Sequence, residues 1–198
     1  MTTTRKFAGF NKKGQSTTLG TVIDIPFRMK EVPDGGMCLS AFVILSERGN
    51  PERVLLGRLN TSAPWDHIGA LDEDRVQAHS KGWMIPSSHL IIYESPQDAA
   101  SRILKEQLAL KDVKLGEPRL VSEVYTPKRF PNLPQHWDFE FLFRGDVEER
   151  AVDNKKIPDN PWRELAFVDL GKTSKKEIAR SHEDILESAG FKFLDSSP

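Results

Sequence analysis

The order of the predicted elements, which is strands, helix, strands and a final helix, indicates a mixed α/β fold with a largely antiparallel sheet. A dense apolar run at 37–45 and an alternating segment at 53–59 flank a turn at 46–52, which predicts a β-hairpin. A helix with strong start signals is predicted at 96–110. Further strands are predicted at 118–126, 136–144 and 161–169.

The two predicted helices have local start and stop signals. Ser95 is predicted as the N-cap of the first, and Pro96 occupies its first turn, where proline needs no backbone N–H. The second is predicted to begin after Thr173 or Ser174 and to end near Gly190.

Four other segments complete the predicted order. Short strands are predicted at 19–28 and 83–85. The polar segment at 60–81 is predicted as a long loop, and 146–160 as a charged insertion. Loops of such length in compact domains are usually functional or mobile.

Composition limits the class of protein. The chain has 198 residues with 28 basic and 29 acidic side chains, so its net charge predicts no polyanionic partner over the whole surface. The single cysteine, Cys38, excludes an internal disulfide and fits a reducing compartment. No stretch approaches the roughly 20 apolar residues of a membrane span. We expect a cytoplasmic protein without membrane contact, with an N-terminal extension at 1–36, one domain at 37–190 and a C-terminal tail at 191–198.

Residues 83–110 resemble the Nudix box, the motif of the Nudix (MutT-like) superfamily. The family's pattern is Gly, five residues, Glu, seven residues, Arg-Glu, an aliphatic residue, any residue, Glu-Glu, any residue, Gly and an aliphatic residue. It fits without insertion or deletion. The matching positions are Glu94, Arg102, Leu104, Glu106 and Leu110. The differing positions are Ser88 and Ala109, where the family has Gly, and Ile103 and Gln107, where it has Glu. The resemblance implies an α/β/α sandwich with a mixed sheet and a degenerate box.

The resemblance also implies where the chemistry would lie. In the Nudix family the box helix binds divalent cations, usually Mg²⁺, and one glutamate helps to activate water. Positions i, i+3 and i+4 share one helical face, and hard oxygen ligands there suit Mg²⁺. In this chain that face holds Ile103, Glu106 and Gln107, so one carboxylate remains. Glu106 is predicted to be a vestigial catalytic residue, and Mg²⁺ or Mn²⁺ is expected only if the protein is active.

Other box residues have different predicted roles. Glu94 and Arg102 are predicted to pair and to hold the loop against the helix, which is a structural role. The hydroxyl of Ser88 is a candidate ligand contact, although loop serines more often bond the backbone.

Carboxylates on the predicted strands offer an alternative metal site. Glu123 and Glu140 could supplement Glu106 as metal ligands in an active protein. Asp138 shares a strand face with Glu140, and the phenylalanines at 139, 141 and 143 take the opposite, buried face. Simple solvent exposure of these acids is the other interpretation.

Aromatic and basic residues in loops provide candidate ligand contacts. Lys128 and Arg129 could attract phosphate, and Phe130 could stack on a base. The alternative is an ordinary hairpin loop stiffened by prolines. Trp65, in the polar segment at 60–81, is a candidate lid or partner anchor.

These observations favour a Nudix-like protein that binds a nucleotide-like ligand or a macromolecule such as RNA, with little or no standard Mg²⁺-dependent hydrolysis. One alternative is an active hydrolase of a nucleoside-diphosphate-linked compound that uses Glu106 together with carboxylates outside the box. Another is an interaction protein whose segment at 60–81 or 146–160 meets a partner. The resemblance further implies a homodimer.

Overall fold

The structure is a computed structural model, and it describes residues 9–10, 33–126 and 134–195. The strands are β1 (Gly9–Phe10), β2 (Met37–Glu47), β3 (Asn50–Leu59), β4 (Ser87–His89), β5 (Arg119–Tyr125), β6 (His136–Val147) and β7 (Trp162–Asp169). The helices are α1 (Trp65–Ile68), α2 (Glu73–His79), α3 (Pro96–Leu108) and α4 (His182–Ser188). Short 3₁₀ turns lie at Glu149–Ala151, Asn154–Lys156, Leu170–Lys172 and Lys175–Glu177.

One mixed sheet forms the centre of the molecule. Its strands follow the order β5-β6-β2-β3-β7, and β1 and β4 also pair with β2. The β2–β6 pair is parallel, whereas the other strand pairs are antiparallel. The mixed, largely antiparallel sheet predicted from the sequence is therefore confirmed.

The central strand β2 is buried on both sides because alternate side chains point to opposite faces of a sheet. Ala41, Val43 and Leu45 pack with α3, whereas Phe42 and Ile44 pack with α4, and all five are at most 6% exposed. We call these two sides of the sheet the α3 face and the α4 face. A helix on each face of the sheet makes the α/β/α sandwich.

Helix α3 begins where its local signals predict. The Ser95 hydroxyl accepts a hydrogen bond from the backbone N–H of Asp98 at 3.1 Å, and Pro96 is the first helical residue. The helix ends in the left-handed conformation at Ala109, with φ 51° and ψ 27°. That conformation favours glycine, which explains why the family pattern has Gly at this position.

The segment at 60–81 differs from the predicted irregular loop. It contains α1 and α2, whose apolar residues form a third buried cluster with Trp162. Trp65 is 2% exposed, its indole packs edge-on against Trp162 with ring centroids 5.0 Å apart, and its N–H donates to the Asn60 carbonyl at 3.1 Å. The prediction of Trp65 as a lid or partner anchor was wrong, because the paired indoles make it a core residue.

The predicted final helix is divided into two parts. Ser174 caps only the 3₁₀ turn Lys175–Glu177, through a capping box with Glu177. Arg180 and Ser181 then both have positive φ, at 59° and 58°, so no helix can continue through them, and α4 starts at His182. After α4, Phe191 and Phe193 are buried in the core of the α4 face.

The strand predicted at 83–85 is displaced along the chain. Trp83 and Met84 make only isolated bridges, while β4 forms at 87–89 against β2. The predicted strand at 19–28 lies outside the described residues.

Candidate functional site

The box pair Glu94 and Arg102 is present as a bidentate contact. Arg102 Nε lies 2.7 Å from Glu94 Oε1, and Arg102 Nη2 lies 2.8 Å from Oε2. Glu94 Oε2 also accepts from the Ile91 backbone N–H at 2.8 Å, and Arg102 donates to the His89 carbonyl at 3.0 Å. Since both side chains are nearly buried, at 10% and 12% exposed, the pair joins the loop after β4 to α3.

Ser88 is part of the same internal network. It is 3% exposed; its hydroxyl accepts from Arg102 Nη1 at 3.2 Å and donates to the His89 carbonyl at 3.0 Å. The hydroxyl therefore holds the loop and is not presented to a ligand, in contrast to the predicted ligand contact.

The other two positions on the expected metal-binding face of α3 are buried inside the protein. Ile103 is 0% exposed and packs in the apolar cluster of the α3 face. Gln107 is 1% exposed; its side-chain amide donates to the Ser87 carbonyl at 2.8 Å, and its backbone carbonyl accepts from the Trp162 indole at 2.7 Å. A hydrocarbon and a neutral amide beside Glu106 do not fit the multi-carboxylate Mg²⁺ or Mn²⁺ site of the family.

The strand carboxylates lie on the opposite side of the sheet from α3. Glu140 follows the same alternation as Leu142, which packs in the core of the α4 face, and Glu123 is the cross-strand partner of Asp138 on that side. The structure therefore brings Glu123, Asp138 and Glu140 together but separates them from Glu106. The predicted metal set of Glu106, Glu123 and Glu140 does not assemble, because the sheet stands between its members.

A cavity of about 240 Å³ opens on the α4 face. Residues of β2, β5 and β6 form its floor, and residues of α2 and α4 and of the loops beside them form its walls. A second cavity of about 200 Å³ shares His79, Tyr125, Arg180 and Ser181 with it, so Arg180 lies between the two. The side chains that line the first cavity include Cys38, Phe42, Tyr125, Asp138, Glu140 and Arg180.

Arg180 is the main cationic group of this cavity. The consecutive left-handed residues Arg180 and Ser181 place it immediately before α4, beside Arg75 on α2. Burial and the charge of Arg75 lower the pKa of Arg180. Within residues 33–126 and 134–195, no hydrogen bond or ion pair holds its guanidinium. A guanidinium in such a setting is suited to an anionic ligand.

Burial also changes the ionisation of the other cavity groups. Desolvation and the neighbouring carboxylates Glu123 and Asp138 raise the pKa of Glu140 to about 8. Desolvation and two arginine charges lower the pKa of His89 to about 3. Desolvation and Asp138 raise the pKa of Cys38 to about 11. At neutral pH the cavity thus holds a protonated carboxyl, a neutral imidazole and a neutral thiol.

His182 is also neutral, for a structural reason. Its Nδ1 accepts a hydrogen bond from the Ile85 backbone N–H at 3.0 Å, and burial holds its pKa well below the ordinary value. Its ring packs edge-on against Phe42, with centroids 5.2 Å apart. His182 therefore ties the start of α4 to the segment before β4.

Sequence reasoning missed the two arginines of the cavity. Arg75 lies in a segment predicted as loop, and Arg180 was included in a predicted helix. The available signal at Arg180 was the polar Arg-Ser-His run at 180–182, which interrupts the apolar pattern. The predicted ligand residues Lys128, Arg129 and Phe130 lie outside the described residues.

Solved structures share this architecture. The Nudix domain of NrtR from Shewanella oneidensis, solved with ADP-ribose, aligns at a TM-score of 0.52 and 15% identity over 78% of this chain and 86% of that chain. The MutT protein of Methanosarcina mazei Go1 aligns at 0.50 and 14% identity over 77% and 91% of the two chains. No protein-family model and no curated protein matches the sequence. No helix in the described part of the chain has the length and apolarity needed to cross a membrane.

Proposed function

The chain has the Nudix fold, and on that premise we propose that it binds an anionic, nucleotide-like small molecule in the cavity of the α4 face. The observation that carries the proposal is the position of Arg180, a poorly solvated guanidinium between two cavities. Charge-assisted hydrogen bonds from such a group to phosphate are among the stronger polar contacts in proteins.

The rest of the cavity suits the other parts of such a ligand. Tyr125 lines the cavity with aromatic surface above the buried Phe42, which favours a flat ring. Ser40 and the neutral His89 offer hydrogen-bonding atoms without adding negative charge. Because Glu140 is protonated at neutral pH, it repels a phosphate less than an ionised carboxylate would.

The composition of α3 supports binding without the family's Mg²⁺-dependent hydrolysis. That mechanism requires several carboxylates around one cation, whereas Ile103 and Gln107 are buried and uncharged beside Glu106. The alternative hydrolase, which would combine Glu106 with Glu123 and Glu140, is disfavoured because these side chains stand on different sides of the sheet.

Calorimetry with ADP-ribose, ADP and a dinucleoside polyphosphate, each with and without a chelator, tests this proposal. We expect binding of at least one ligand, unchanged by the chelator, and no turnover with Mg²⁺ or Mn²⁺. Arg180→Gln should weaken binding by roughly 10- to 100-fold, the equivalent of one charged hydrogen-bonding group. Arg150→Gln is the matched control, since Arg150 is 85% exposed and outside the cavity.

Two results would overturn the proposal. One is the absence of binding to every ligand of the panel, and the other is binding that Arg180→Gln leaves unchanged. Metal-dependent turnover that is lost in Glu106→Gln would establish the hydrolase instead. The homodimer implied by the resemblance stays a prediction, which light scattering on the purified chain would test.

A further inference from the structure

We propose that Cys38, His136 and Asp138 form a binding site for a divalent transition-metal ion such as Zn²⁺ on the floor of the cavity. The site does not depend on the proposed nucleotide-like ligand, although both would occupy the same cavity. It is also separate from α3, which lies on the other face of the sheet.

Strand register places the three side chains on one face. Cys38 and Asp138 are Cα partners in the parallel β2–β6 pair, and His136 precedes Asp138 by two residues on the same strand. One ligand atom from each side chain lies within 4.8 Å of the others, and His136 Nε2 lies 3.1 Å from Asp138 Oδ1. In a tetrahedral zinc site, bonds of about 2.0–2.3 Å put ligand atoms about 3.3–3.7 Å apart. The cluster therefore needs only small side-chain adjustments to close on an ion.

The types of ligand select the class of metal. A thiolate, an imidazole and a carboxylate suit Zn²⁺ and similar ions, whereas Mg²⁺ prefers oxygen ligands alone. The thiolate and the carboxylate would together neutralise the two charges of the ion. Three protein ligands also leave a coordination position open toward the cavity, which is the arrangement of zinc sites that bind water or substrate.

Glu140 supplies an independent observation at the same place. It is 6% exposed, lines the cavity, and lies two residues after Asp138 on the same face of β6. Its Oε2 atom is buried, and among the described residues no group donates a hydrogen bond to it. A buried carboxyl oxygen without a partner is costly. An ion at this site, or a water bound to that ion, would give the oxygen its missing partner.

The charges around the site set its preference for further ligands. Arg75 and Arg180 line the cavity and oppose a bare cation, while the carboxylates Glu123 and Asp138 favour one. His89, which faces the same cavity, is neutral at physiological pH and adds no charge. The two arginines would instead stabilise an anion held on the open position of the metal.

Titration of the reduced chain with Co²⁺, followed by absorption spectroscopy, tests the site. Co²⁺ replaces Zn²⁺ in such sites and gives a thiolate-to-metal charge-transfer band. Cys38 is the single cysteine of the 198-residue chain, so any such band must arise from Cys38. We expect a band that saturates at one equivalent of Co²⁺ and that Zn²⁺ abolishes by displacement.

Variants separate this site from adventitious binding. Cys38→Ser should remove the band. His136→Gln should weaken Co²⁺ binding by at least about 100-fold, since loss of a direct ligand exceeds the 10- to 100-fold cost of losing a supporting contact. His67→Gln, on α1 and outside the cavity, is the matched control and should not change the titration. Circular dichroism of each variant checks that it is folded.

The absence of a thiolate band with the folded wild-type chain at excess Co²⁺ would overturn the proposal. Equal affinity in wild type and His136→Gln would also overturn it. Because this titration contains no nucleotide, and because the nucleotide binding test includes a chelator, either proposal can fail while the other stands.

Discussion

The two faces of the central sheet differ in a way that the box resemblance does not predict. On the α3 face, the positions at which the family has carboxylates hold Ile103 and Gln107, both at most 1% exposed. On the α4 face, a cavity brings together carboxylates, histidines, a thiol and two arginines. The spacing of a motif therefore identified the scaffold, while the polar chemistry of this chain lies on the other side of the sheet.

The difference arises from how closely a helix covers each face of the sheet. Helix α3 covers the sheet closely, so its inward positions require apolar or uncharged groups, such as Ile103 and the Gln107 amide that donates to the Ser87 carbonyl. The α4 face is incompletely covered beside Arg180 and Ser181, whose left-handed backbone prevents a helix from forming before His182. Titratable groups persist there because they face an open cavity that water or a ligand can enter.

The largest expected effect comes from restoring a family carboxylate on the closed face. Ile103→Glu should lower the free energy of unfolding by about 4 kcal/mol or more, because it removes core packing and buries a charge. Urea denaturation measures the loss, and Ser101→Glu, on the exposed side of α3, should stay within about 0.5 kcal/mol of wild type. Wild-type stability together with new Mg²⁺ binding in Ile103→Glu would contradict our description of the α3 face.

A smaller effect is expected at the second restored position. Gln107→Glu has nearly the same shape but sets a carboxylate against the Ser87 carbonyl, which now accepts from the amide. We expect a loss of about 2 kcal/mol at neutral pH, the cost of an unmade buried hydrogen bond. The loss should shrink at lower pH, because the protonated carboxyl can donate again. Gln97→Glu, in the exposed first turn, serves as the control, and equal losses in both variants would refute the argument.

On the α4 face, removing an ionisable group should stabilise the protein at high pH. The pKa of Glu140 is about 8 in the folded protein and 4.5 in the unfolded chain. Between pH 4.5 and about 8 the folded state holds one more proton than the unfolded chain. The free energy of unfolding therefore falls as the pH rises through this range to about 8. Glu140→Gln should remove this slope and become more stable than wild type by about 1–2 kcal/mol near pH 9. Glu52→Gln is the exposed control. If the free energy of unfolding depends on pH in the same way in wild type and Glu140→Gln, the pH dependence does not arise from Glu140.

The smallest effect tests the end of α3. Ala109 adopts a left-handed conformation that favours glycine, so Ala109→Gly should stabilise the protein by about 0.5–1 kcal/mol. In the helix interior, Ser101→Gly should instead destabilise it by roughly 0.5 kcal/mol. Thermal denaturation distinguishes the two signs, and destabilisation by Ala109→Gly would show that the left-handed backbone carries little strain.

Local signals explain which elements could be predicted. The start of α3 depends on Ser95 and Pro96, which act on the backbone within four residues, and the structure confirms both. The hairpin of β2 and β3 and the later strands follow from alternation and turn residues in the same way. The segment at 60–81 could not be predicted, because Trp65 is buried by Trp162 from a distant strand.

The sequence by itself determined the order of elements, the capped α3 helix and the loss of two box carboxylates, since each depends on residues close together in the chain. The shared face of Asp138 and Glu140 follows from strand alternation, but only the tertiary structure placed Glu123 beside them and set all three apart from Glu106. It also decided that Cys38 meets His136 and that Arg180 enters the cavity. The physical reason is that strand pairing and helix placement bring together residues about 100 positions apart, and no local preference encodes that contact.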